Sequence, residues 1–372
     1  MYLPLVNLQR QSQKIYAEVS KVFRESVGRG DFILGRAVEE FEKEFARYIG
    51  MPYGIGVANG TDALHLSLRV LDVGSTDEVI LPANTFIATA FAVSQCGAKP
   101  VLVDCREADG MIDVAQIERA ITRKTKAVIP VHLFGQSADM DSILRIAKHH
   151  RILVVEDAAQ AHGARYKDRN CGAMGKLSAF SFYPAKNLGA YGDGGMILAR
   201  EAKLAERLRR LRNLSSLKKY YHDEIGFNTR LDTLQAAILC VKLKKLDAWN
   251  QRRNYLASLY KKHLSGLLEA GKIRLLNVSA HTTYHVYHLF VIRVIKASQA
   301  KVLQALQKHG IGAGVHYPVP IHLQKAYRDL GYKKGSFPNA ELLASTMISL
   351  PLCPDLKESE LNYIVKVLED VL

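Results

Sequence analysis

Residues 152–163 read ILVVEDAAQAHG, and this stretch decides the fold class of the chain. Ile152–Val155 is continuously apolar and rich in β-branched residues, which is typical of a central strand in a parallel sheet. Glu156 and Asp157 follow at the carboxyl end of that strand. Because a buried carboxylate without a partner is costly, the pair indicates either a helix cap or a functional group. Asp157 could hold a positive charge on a ligand, and Gln160 lies one turn further on.

The segments on both sides of this stretch alternate between helical and strand patterns. The predicted helices are Val38–Ile49, Thr61–Leu71, Thr85–Cys96 and Met140–His149. The predicted strands are Glu78–Leu81, Pro100–Val103, Ala127–Val131, Ile152–Val155, Ala179–Tyr183 and Met196–Ala199. Strands that alternate with helices predict an α/β fold with a mostly parallel central sheet.

The pattern changes near residue 245, where a second and smaller domain is expected to begin. Leu231–Leu264 is a long, basic and helical segment. The predicted elements after it are Tyr287–Val294 (strand), Ser298–His309 (helix), Gly312–His316 (strand) and Ser359–Leu372 (helix). We therefore predict a large α/β domain over residues 1–248 and a smaller C-terminal α+β domain over residues 249–372.

The composition is that of an ordinary globular protein with an excess of basic residues. Of 372 residues, 51 are Lys or Arg and 36 are Asp or Glu, which gives a formal net charge of +15. This charge permits nucleic-acid binding, but it also suits an enzyme with phosphorylated substrates. No apolar stretch could span a bilayer and the N-terminus is too polar for a signal peptide, so we expect a cytoplasmic protein. Five scattered cysteines without a CxxC pair argue against a disulfide scaffold or a zinc site.

Residues 178–198, SAFSFYPAKNLGAYGDGGMIL, contain one lysine, Lys186, between two apolar runs. A lysine in such a place is costly unless its amine is neutralised, paired or used covalently. The alternative is an ordinary exposed lysine of a surface loop. Lys186 alone does not decide between these interpretations, so the other strand ends of the predicted sheet matter.

Two further strand ends precede helix starts. In VANGTDALHL (57–66), a turn at Asn59-Gly60 leads into a helix at Thr61, and the N–H groups of a helix start can bind an anion. In ILPANTFIATA (80–90), Phe86 lies where its ring could stack on a planar ligand. Alone, the first pattern is more simply a capped helix and the second a core aromatic residue.

An anion site, a planar-ring site, a carboxylate and a lysine are together what pyridoxal phosphate requires. Its phosphate needs N–H groups and a hydroxyl, which Ser181 could supply. Its pyridine nitrogen needs a carboxylate and its aldehyde needs a lysine for a Schiff base. The order and strand-end placement of these residues predict a pyridoxal-phosphate site.

Six motifs carry a resemblance to a known family. They are NGTDALHLSL (59–68), LPANTFIATA (81–90), VEDAAQAHGA (155–164), SFYPAKNLGAYGDGG (181–195), GFNTRLDTLQAAIL (226–239) and HYPVPIHLQKAY (316–327). They are similar to motifs of the DegT/DnrJ/EryC/StrS family of sugar aminotransferases, and the resemblance runs from about residue 4 to about residue 355. It implies the aspartate-aminotransferase fold, fold type I, and a homodimer whose active sites lie at the subunit interface.

The resemblance also implies roles for the residues around the cofactor ring. By motif position, Lys186 would form the Schiff base and Asp157 would pair with the pyridine nitrogen. Gln160 would reach the ring hydroxyl and Phe86 would stack on the ring. Some members of the family carry histidine in place of this lysine and act as dehydratases, so the lysine favours transamination.

The cofactor phosphate would be held, by the same resemblance, from both subunits. Gly60, Thr61 and Ser181 would bind it from one subunit and Asn228 from the other. The amino donor implied by the family is L-glutamate, and the acceptor is a keto nucleotide sugar in amino-sugar biosynthesis.

The substrate is narrowed by two of the motifs. FYPAKNLGAYGDGG and HYPVPIHLQ resemble most closely the enzymes that act on 3-keto nucleotide sugars, whereas C-4 enzymes tend to carry glutamate where Asp193 stands. We therefore expect a pyridoxal-phosphate-dependent aminotransferase that acts at C-3 of a dTDP-3-keto-6-deoxyhexose. A UDP-3-keto-hexosamine or uronate, or a C-4 keto sugar, remains an alternative.

The resemblance also implies contacts with the sugar or the pyrophosphate. The residues concerned are Arg230, His316 and Tyr317, followed by Tyr183, Lys219 and Tyr221. Arg230 could instead cap or salt-bridge the helix that follows it. The pair His316-Tyr317 could equally be the end of a strand before Pro318.

Two other classes of site are considered. His281, His285 and His288 have the spacing of a helical metal site, but TTYHVYHLFVIRV (282–294) is β-branched and aromatic and predicts a strand. A strand would point these side chains to opposite faces, so no metal is expected. The alternative from another class is a nucleic-acid-binding or sensor protein on the same scaffold, which the net charge motivates and the intact Lys186 and Asp157 oppose.

Overall fold

A computed structural model describes residues 2–218 and 220–372. The α-helices are α1 Leu8–Lys14, α2 Tyr16–Arg29, α3 Arg36–Ile49, α4 Gly60–Val70, α5 Ile87–Gln95, α6 Val114–Ala120, α7 Met140–His150, α8 Ala202–Leu211, α9 Thr233–Leu243, α10 Leu246–His263, α11 Ser265–Glu269, α12 Gln299–Lys308, α13 Pro338–Thr346 and α14 Glu358–Val371. Short 3₁₀ helices lie at Leu133–Gly135, Ile321–Leu323 and Lys325–Leu330.

The β-strands fall into one large sheet and several small ones. They are β1 Tyr53–Val57, β2 Glu78–Pro82, β3 Lys99–Val103, β4 Thr125–Val128, β5 Leu153–Asp157, β6 Arg165–Tyr166, β7 Arg169–Asn170, β8 Leu177–Ser181, β9 Gly195–Ala199, β10 Ser216–Lys218, β11 Tyr221–His222, β12 Ile273–Leu275, β13 Thr282–Tyr284, β14 Phe290–Val294 and β15 Met347–Leu350.

The large sheet has seven strands within the described residues, in the order β1-β9-β8-β5-β4-β2-β3. The five strands from β8 to β3 run parallel, whereas β9 is antiparallel to both of its neighbours, β1 and β8. The predicted mostly parallel α/β sheet is therefore confirmed. The carboxyl ends of the parallel strands share one edge, which is where such sheets bind ligands.

Apolar cores cover both faces of this sheet. Along β2, Val79 and Leu81 pack into a core cluster with α4 and α5, while Ile80 packs into a second cluster with α7. This alternation is what the pleat of a strand requires. The two-sided burial explains why the parallel strands read as continuous apolar runs in the sequence.

The C-terminal part has its own core around the three-stranded antiparallel sheet β12-β14-β15. Leu256 of α10, Leu306 of α12 and Leu361 of α14 pack together there. Leu3 from the other end of the chain joins the same cluster. The predicted boundary between residues 248 and 249 falls inside α10 and stays a prediction.

Two predicted elements differ from the structure, and the prediction does not include the helices α1, α2, α6, α8, α11 and α13. Leu231–Leu264 is not one helix but α9 and α10, which are separated at Lys244-Lys245. The break has a packing reason, because α9 packs with α2 and α3 while α10 joins the C-terminal core. Gly312–His316 forms only an isolated bridge at Gly314. The helices α1 and α2 have polar sequences, and Ser26 is their only buried residue. Their sequences therefore lack the apolar pattern by which a helix is predicted.

Across residues 2–218 and 220–372, no helix has both the length and the apolar character needed to cross a membrane.

Candidate active site

A cavity of about 760 Å³ lies at the carboxyl edge of the central sheet. Strands β1, β2, β5 and β8 are each followed by residues that reach it. The predicted site residues that line the cavity are Gly60, Thr61, Phe86, Asp157, Gln160, Ser181, Tyr183, Lys186, His316 and Tyr317. Residues that are far apart in the sequence therefore meet at one place.

Asp157 ends β5 with its carboxylate buried beside the cavity. It accepts a hydrogen bond from Thr89 Oγ1 at 2.9 Å and another from the main-chain N–H of Ala159 at 3.2 Å. Burial raises the pKa of Asp157, and these hydrogen bonds act against that rise. A cation bound next to this carboxylate would favour its charged form. The arrangement therefore suits a protonated nitrogen of a ligand.

Glu156, the neighbouring carboxylate, faces away from the cavity. It accepts hydrogen bonds from His132 Nε2 at 2.9 Å and from the main-chain N–H groups of Gly172 at 2.8 Å and Met174 at 2.6 Å. Burial acts to raise the pKa of Glu156, but these hydrogen bonds outweigh it and the pKa is lowered. Of the two acids predicted at this strand end, Asp157 belongs to the site and Glu156 fixes the loop before β8.

Lys186 follows β8 in a turn, where its main-chain N–H donates to the carbonyl oxygen of Tyr183 at 2.8 Å. Its side chain lines the cavity. Burial lowers the pKa of the Lys186 amine to about 8, although the charge of Asp157 acts in the opposite direction. Such an amine is partly neutral near physiological pH and can act as a nucleophile or a base.

The start of α4 provides the predicted anion site. Asn59 caps the helix by accepting a hydrogen bond from the N–H of Asp62 at 2.9 Å. The N–H groups of Gly60 and Thr61 have no partner inside the helix, as at any helix start. A Cβ atom at Gly60 would lie 2.7 Å from Cβ of Ser181, so glycine allows α4 to begin against the end of β8. These N–H groups and the Ser181 hydroxyl suit a phosphate.

Phe86, Gln160 and Tyr317 form a connected wall. The ring centroids of Phe86 and Tyr317 lie 5.2 Å apart, and 50% of Phe86 is exposed. Gln160 accepts a hydrogen bond from the N–H of Phe134 at 2.7 Å and donates one to the hydroxyl of Tyr317 at 3.0 Å. The exposed face of Phe86 can cover a planar ligand without any rearrangement of the core.

The remaining predicted residues do not line this cavity in the part of the chain that the structure describes. Asn228 and Tyr221 are exposed. Arg230 donates from Nη1 to Oδ1 of Asn213 at 2.9 Å, which is neither a cap of α9 nor a salt bridge. Lys219 lies outside the described residues.

Sequence patterns do not predict two further cavity residues, Thr89 and His288. Thr89 lies in α5, one helical turn after Phe86. This spacing places both side chains on one face of the helix and is the signal from which Thr89 could have been predicted. His288 lies between β13 and β14 and reaches the cavity through packing that no local pattern shows. Within the described residues, no cluster of three or more His, Cys, Asp or Glu side chains is arranged to hold a metal ion.

The residues present fit pyridoxal phosphate. A buried carboxylate, a half-exposed aromatic ring, a helix start with a neighbouring hydroxyl and a lysine of lowered pKa all face the same cavity. Each group matches one part of that cofactor, namely the pyridine nitrogen, the ring, the phosphate and the aldehyde.

Comparisons with known proteins agree with this geometry. A family model described as the DegT/DnrJ/EryC1/StrS aminotransferase family matches residues 13–369. A pleiotropic regulatory protein of Geobacillus stearothermophilus is 44% identical over 98% of this chain and 97% of its own. A dTDP-3-amino-3,4,6-trideoxy-alpha-D-glucose transaminase of Streptomyces venezuelae is 43% identical over 99% of this chain and 96% of its own. The crystal structure of S. venezuelae DesV has a TM-score of 0.95 at 42% identity and covers 99% of this chain and 98% of that chain.

These matches confirm three of the predictions. The fold is that of the type I pyridoxal-phosphate enzymes, the cofactor is pyridoxal phosphate, and the protein is an enzyme of the sugar aminotransferase class. The chain belongs to the DegT/DnrJ/EryC1/StrS aminotransferase family.

Proposed function

We propose that this protein transfers an amino group to C-3 of a keto sugar linked to a nucleotide diphosphate. The observation that carries the proposal is that Lys186, Asp157 and the start of α4 face one cavity. The name of the Streptomyces relative describes a dTDP-3-amino-sugar transaminase, and its 43% identity supports both the C-3 position and dTDP as the nucleotide. UDP remains the alternative nucleotide.

Lys186 and Asp157 perform the central chemistry. Pyridoxal phosphate, when bound, supplies an aldehyde that condenses with amines and a protonated ring that withdraws electrons. Lys186 would hold the cofactor through that aldehyde. As a base and acid, its amine would move a proton at the amino-bearing carbon of the substrate and at C4′ of the cofactor. A pKa of about 8 suits both roles. Asp157 keeps the proton on the pyridine nitrogen.

The other cofactor-binding residues hold the reacting atoms in place. Gly60 and Thr61, with their N–H groups, and Ser181, with its hydroxyl, bind the phosphate. Phe86 covers one face of the ring and Gln160 reaches the ring hydroxyl. Because these contacts come from four places in the fold, namely α4, the end of β8, the start of α5 and the loop after β5, they would fix the direction in which the aldehyde faces Lys186.

His316 and Tyr317 bind the sugar, and Tyr183 lies exposed at the mouth of the cavity. His316 Nδ1 and the hydroxyl of Ser349 are hydrogen-bonded at 2.9 Å. Burial lowers the pKa of His316 to about 4, with the charge of Lys186 acting in the same direction. At neutral pH its ring is uncharged, so it suits a hydroxyl or carbonyl group better than a phosphate. L-Glutamate is the proposed donor.

The active form is a homodimer with shared sites. Phe23, Phe32, Ile33 and Tyr191 are large apolar side chains with between 39% and 50% of their surface exposed. Phe23 and Tyr191 line the same surface depression, and a monomer rarely leaves a contiguous apolar patch uncovered. Asn228 is exposed and does not line the cavity of its own subunit. It could therefore reach a cofactor phosphate only in the site of a second subunit. Arg230 and Tyr221 also lie outside their own cavity, and we assign both to the nucleotide pyrophosphate. Lys219 is assigned to it by its position in the sequence alone.

The near-ultraviolet and visible spectrum of the purified protein tests the cofactor and the donor. We expect an absorption band of bound pyridoxal phosphate that bleaches when L-glutamate is added. The matched variant Lys186→Ala should lack this Lys-dependent band. The bleached enzyme should regain it with a 3-keto nucleotide sugar and not with the 4-keto isomer. A protein that stays colourless with added pyridoxal phosphate would refute the proposal.

The name of the Geobacillus relative, a pleiotropic regulatory protein, motivates one competing hypothesis, in which this protein is a regulator and not an enzyme. A sensor or nucleic-acid-binding protein on this scaffold would show no amino transfer to any keto sugar. It would instead bind DNA with an affinity that falls steeply with salt. The same preparation can be tested both ways, and Lys186→Ala should leave such binding unchanged.

A further inference from the structure

His288 is a cavity residue to which the proposed function assigns no role. It lies between β13 and β14, it is 7% exposed, and it lines the same cavity as Lys186. No hydrogen bond among the described residues uses its Nε2 atom, while its Nδ1 atom lies 3.2 Å from Oδ1 of Asn187. One ring nitrogen is therefore engaged with the protein, and the other is available to the cavity.

Two main-chain carbonyl groups determine the hydrogen-bond directions around His288. The side-chain nitrogen of Asn187 donates to the carbonyl oxygen of Val286 at 2.9 Å and to Oδ1 of Asn250 at 2.9 Å. The side-chain nitrogen of Asn250 donates to the carbonyl oxygen of His162 at 2.9 Å. Because a carbonyl oxygen can only accept, neither amide can be turned round.

The protonation of the His288 ring follows from this arrangement. Oδ1 of Asn187 can only accept, so Nδ1 of His288 must carry the hydrogen. In the neutral ring, Nε2 then has a lone pair and no hydrogen. Burial lowers the pKa of His288 well below its ordinary value, and the charge of Lys186 adds to this. His288 therefore presents a neutral acceptor to the cavity.

We propose that Nε2 of His288 accepts a hydrogen bond from a hydroxyl group of the sugar, so that His288 helps to select the substrate. This inference rests on the proposed function. A neutral lone pair does not attract a phosphate or a carboxylate, which excludes the nucleotide phosphates and the carboxylates of the amino donor as its partners. The sugar hydroxyl groups are donors that enter the cavity in the second half-reaction only.

Two amide variants separate the two ring nitrogens. His288→Asn places an amide near the position of Nδ1 and keeps the contact with Asn187, but it leaves no acceptor at the position of Nε2. His288→Gln places an amide near the position of Nε2 and gives up the contact with Asn187. A role in substrate selection should therefore impair the asparagine variant more, whereas a purely structural role should impair the glutamine variant more.

The experiment measures calorimetric affinity of the holoenzyme for a dTDP-linked 3-amino sugar and for dTDP alone. His288→Asn should bind the sugar nucleotide about tenfold more weakly, the loss expected for one hydrogen bond, and dTDP with unchanged affinity. His288→Gln should retain most of the affinity. The rate at which L-glutamate bleaches the cofactor band should be the same in all three proteins, which also shows that the variants are folded.

A direct readout is the ¹⁵N NMR spectrum of histidine-labelled protein, in which the His288 signals are identified by their loss in His288→Gln. We expect a neutral ring with the hydrogen on Nδ1. The opposite tautomer, or an unchanged sugar-nucleotide affinity in His288→Asn, would overturn the inference. The inference would also be overturned if the rate of bleaching by L-glutamate fell in His288→Asn by the same factor as its affinity for the sugar nucleotide. If the wild-type protein binds no sugar nucleotide at all, the proposed function itself fails, and that result is distinct from the others.

Discussion

The chemistry of the site begins with the amine of Lys186, which must be neutral in order to attack an aldehyde. Burial lowers its pKa to about 8, and the charge of Asp157 opposes that change. In cofactor-free protein, we expect the rate of pyridoxal-phosphate capture to rise about tenfold per pH unit below pH 8 and to level off above it. Stopped-flow absorbance between about pH 6 and pH 10 measures this rate.

A small lysine derivative in the same buffers is the control, because it removes the titrations of the cofactor itself from the comparison. Its capture rate should still be rising at pH 10, since an ordinary lysine has a pKa near 10.4. Asp157→Asn should shift the midpoint for Lys186 downward, because it removes the charge that favours the protonated amine. A Lys186 profile that follows the control would show that the amine is not perturbed.

Thr89 supports Asp157 with a hydrogen bond of 2.9 Å to Oδ2. We expect Thr89→Val to raise the pKa of Asp157 and to weaken its hold on the protonated ring, because a buried carboxylate loses a donor. The glutamate half-reaction should slow by about tenfold, and rapid-mixing absorbance would detect it. Thr89→Ser keeps the hydroxyl and should react at nearly the wild-type rate. Equal rates in both variants would contradict this role.

The sequence predicts some site residues and not others, for physical reasons. Asp157 and Lys186 are predictable as buried polar residues because Asp157 ends an apolar strand and Lys186 lies in the turn between two apolar strands, where burial demands a partner. The helix start at the cavity is predictable because a helix N-terminus has a local sequence signature. His288 cannot be predicted as a site residue from the sequence. Its position and its ring tautomer depend on Asn187 and Asn250, which only the tertiary structure brings together.

At the scale of elements, the close approach of α4 to β8 depends on Gly60. A Cβ atom there would lie 2.7 Å from Cβ of Ser181, which is closer than van der Waals contact allows. We expect Gly60→Ala to displace the helix start, to lower the free energy of unfolding by about 1–3 kcal/mol and to weaken pyridoxal-phosphate binding. Thermal unfolding and a cofactor titration measure the two effects.

Gly266→Ala is the matched control, because nothing lies within 4 Å of a Cβ atom at that position in α11. The same substitution there should be neutral or stabilising by about 0.5–1 kcal/mol, since alanine favours a helix. If Gly60→Ala behaved like this control, the tight contact with Ser181 would not be what positions the phosphate site.

The elements themselves are predictable to different degrees. The parallel strands β2, β4 and β5 are evident because two-sided burial gives each a short apolar run, at residues 79–81, 127–129 and 153–155. The antiparallel direction of β9 cannot be predicted from the sequence, because an antiparallel strand in the same core has the same apolar composition as a parallel one. The break between α9 and α10 is also hidden, because both segments are helical by propensity and only their different packing partners separate them.

At the scale of the whole molecule, two observations concern the subunit arrangement. Large apolar side chains such as Phe23 and Tyr191 are exposed on this chain, which favours burial against a partner. Asn228 is exposed and does not line its own cavity among the described residues. If Asn228 binds the cofactor phosphate, it must therefore do so in the site of another copy.

Mixing two inactive variants tests this sharing directly. Lys186→Ala removes the amine of one site, and Asn228→Asp places a negative charge against a phosphate, so each homodimer should be nearly inactive. In a mixed dimer, one site combines the intact Lys186 of one subunit with the intact Asn228 of the other. Random mixing at equal amounts should therefore restore about a quarter of the wild-type activity. If each site used its own Asn228, every site would carry one lesion and mixing would restore nothing.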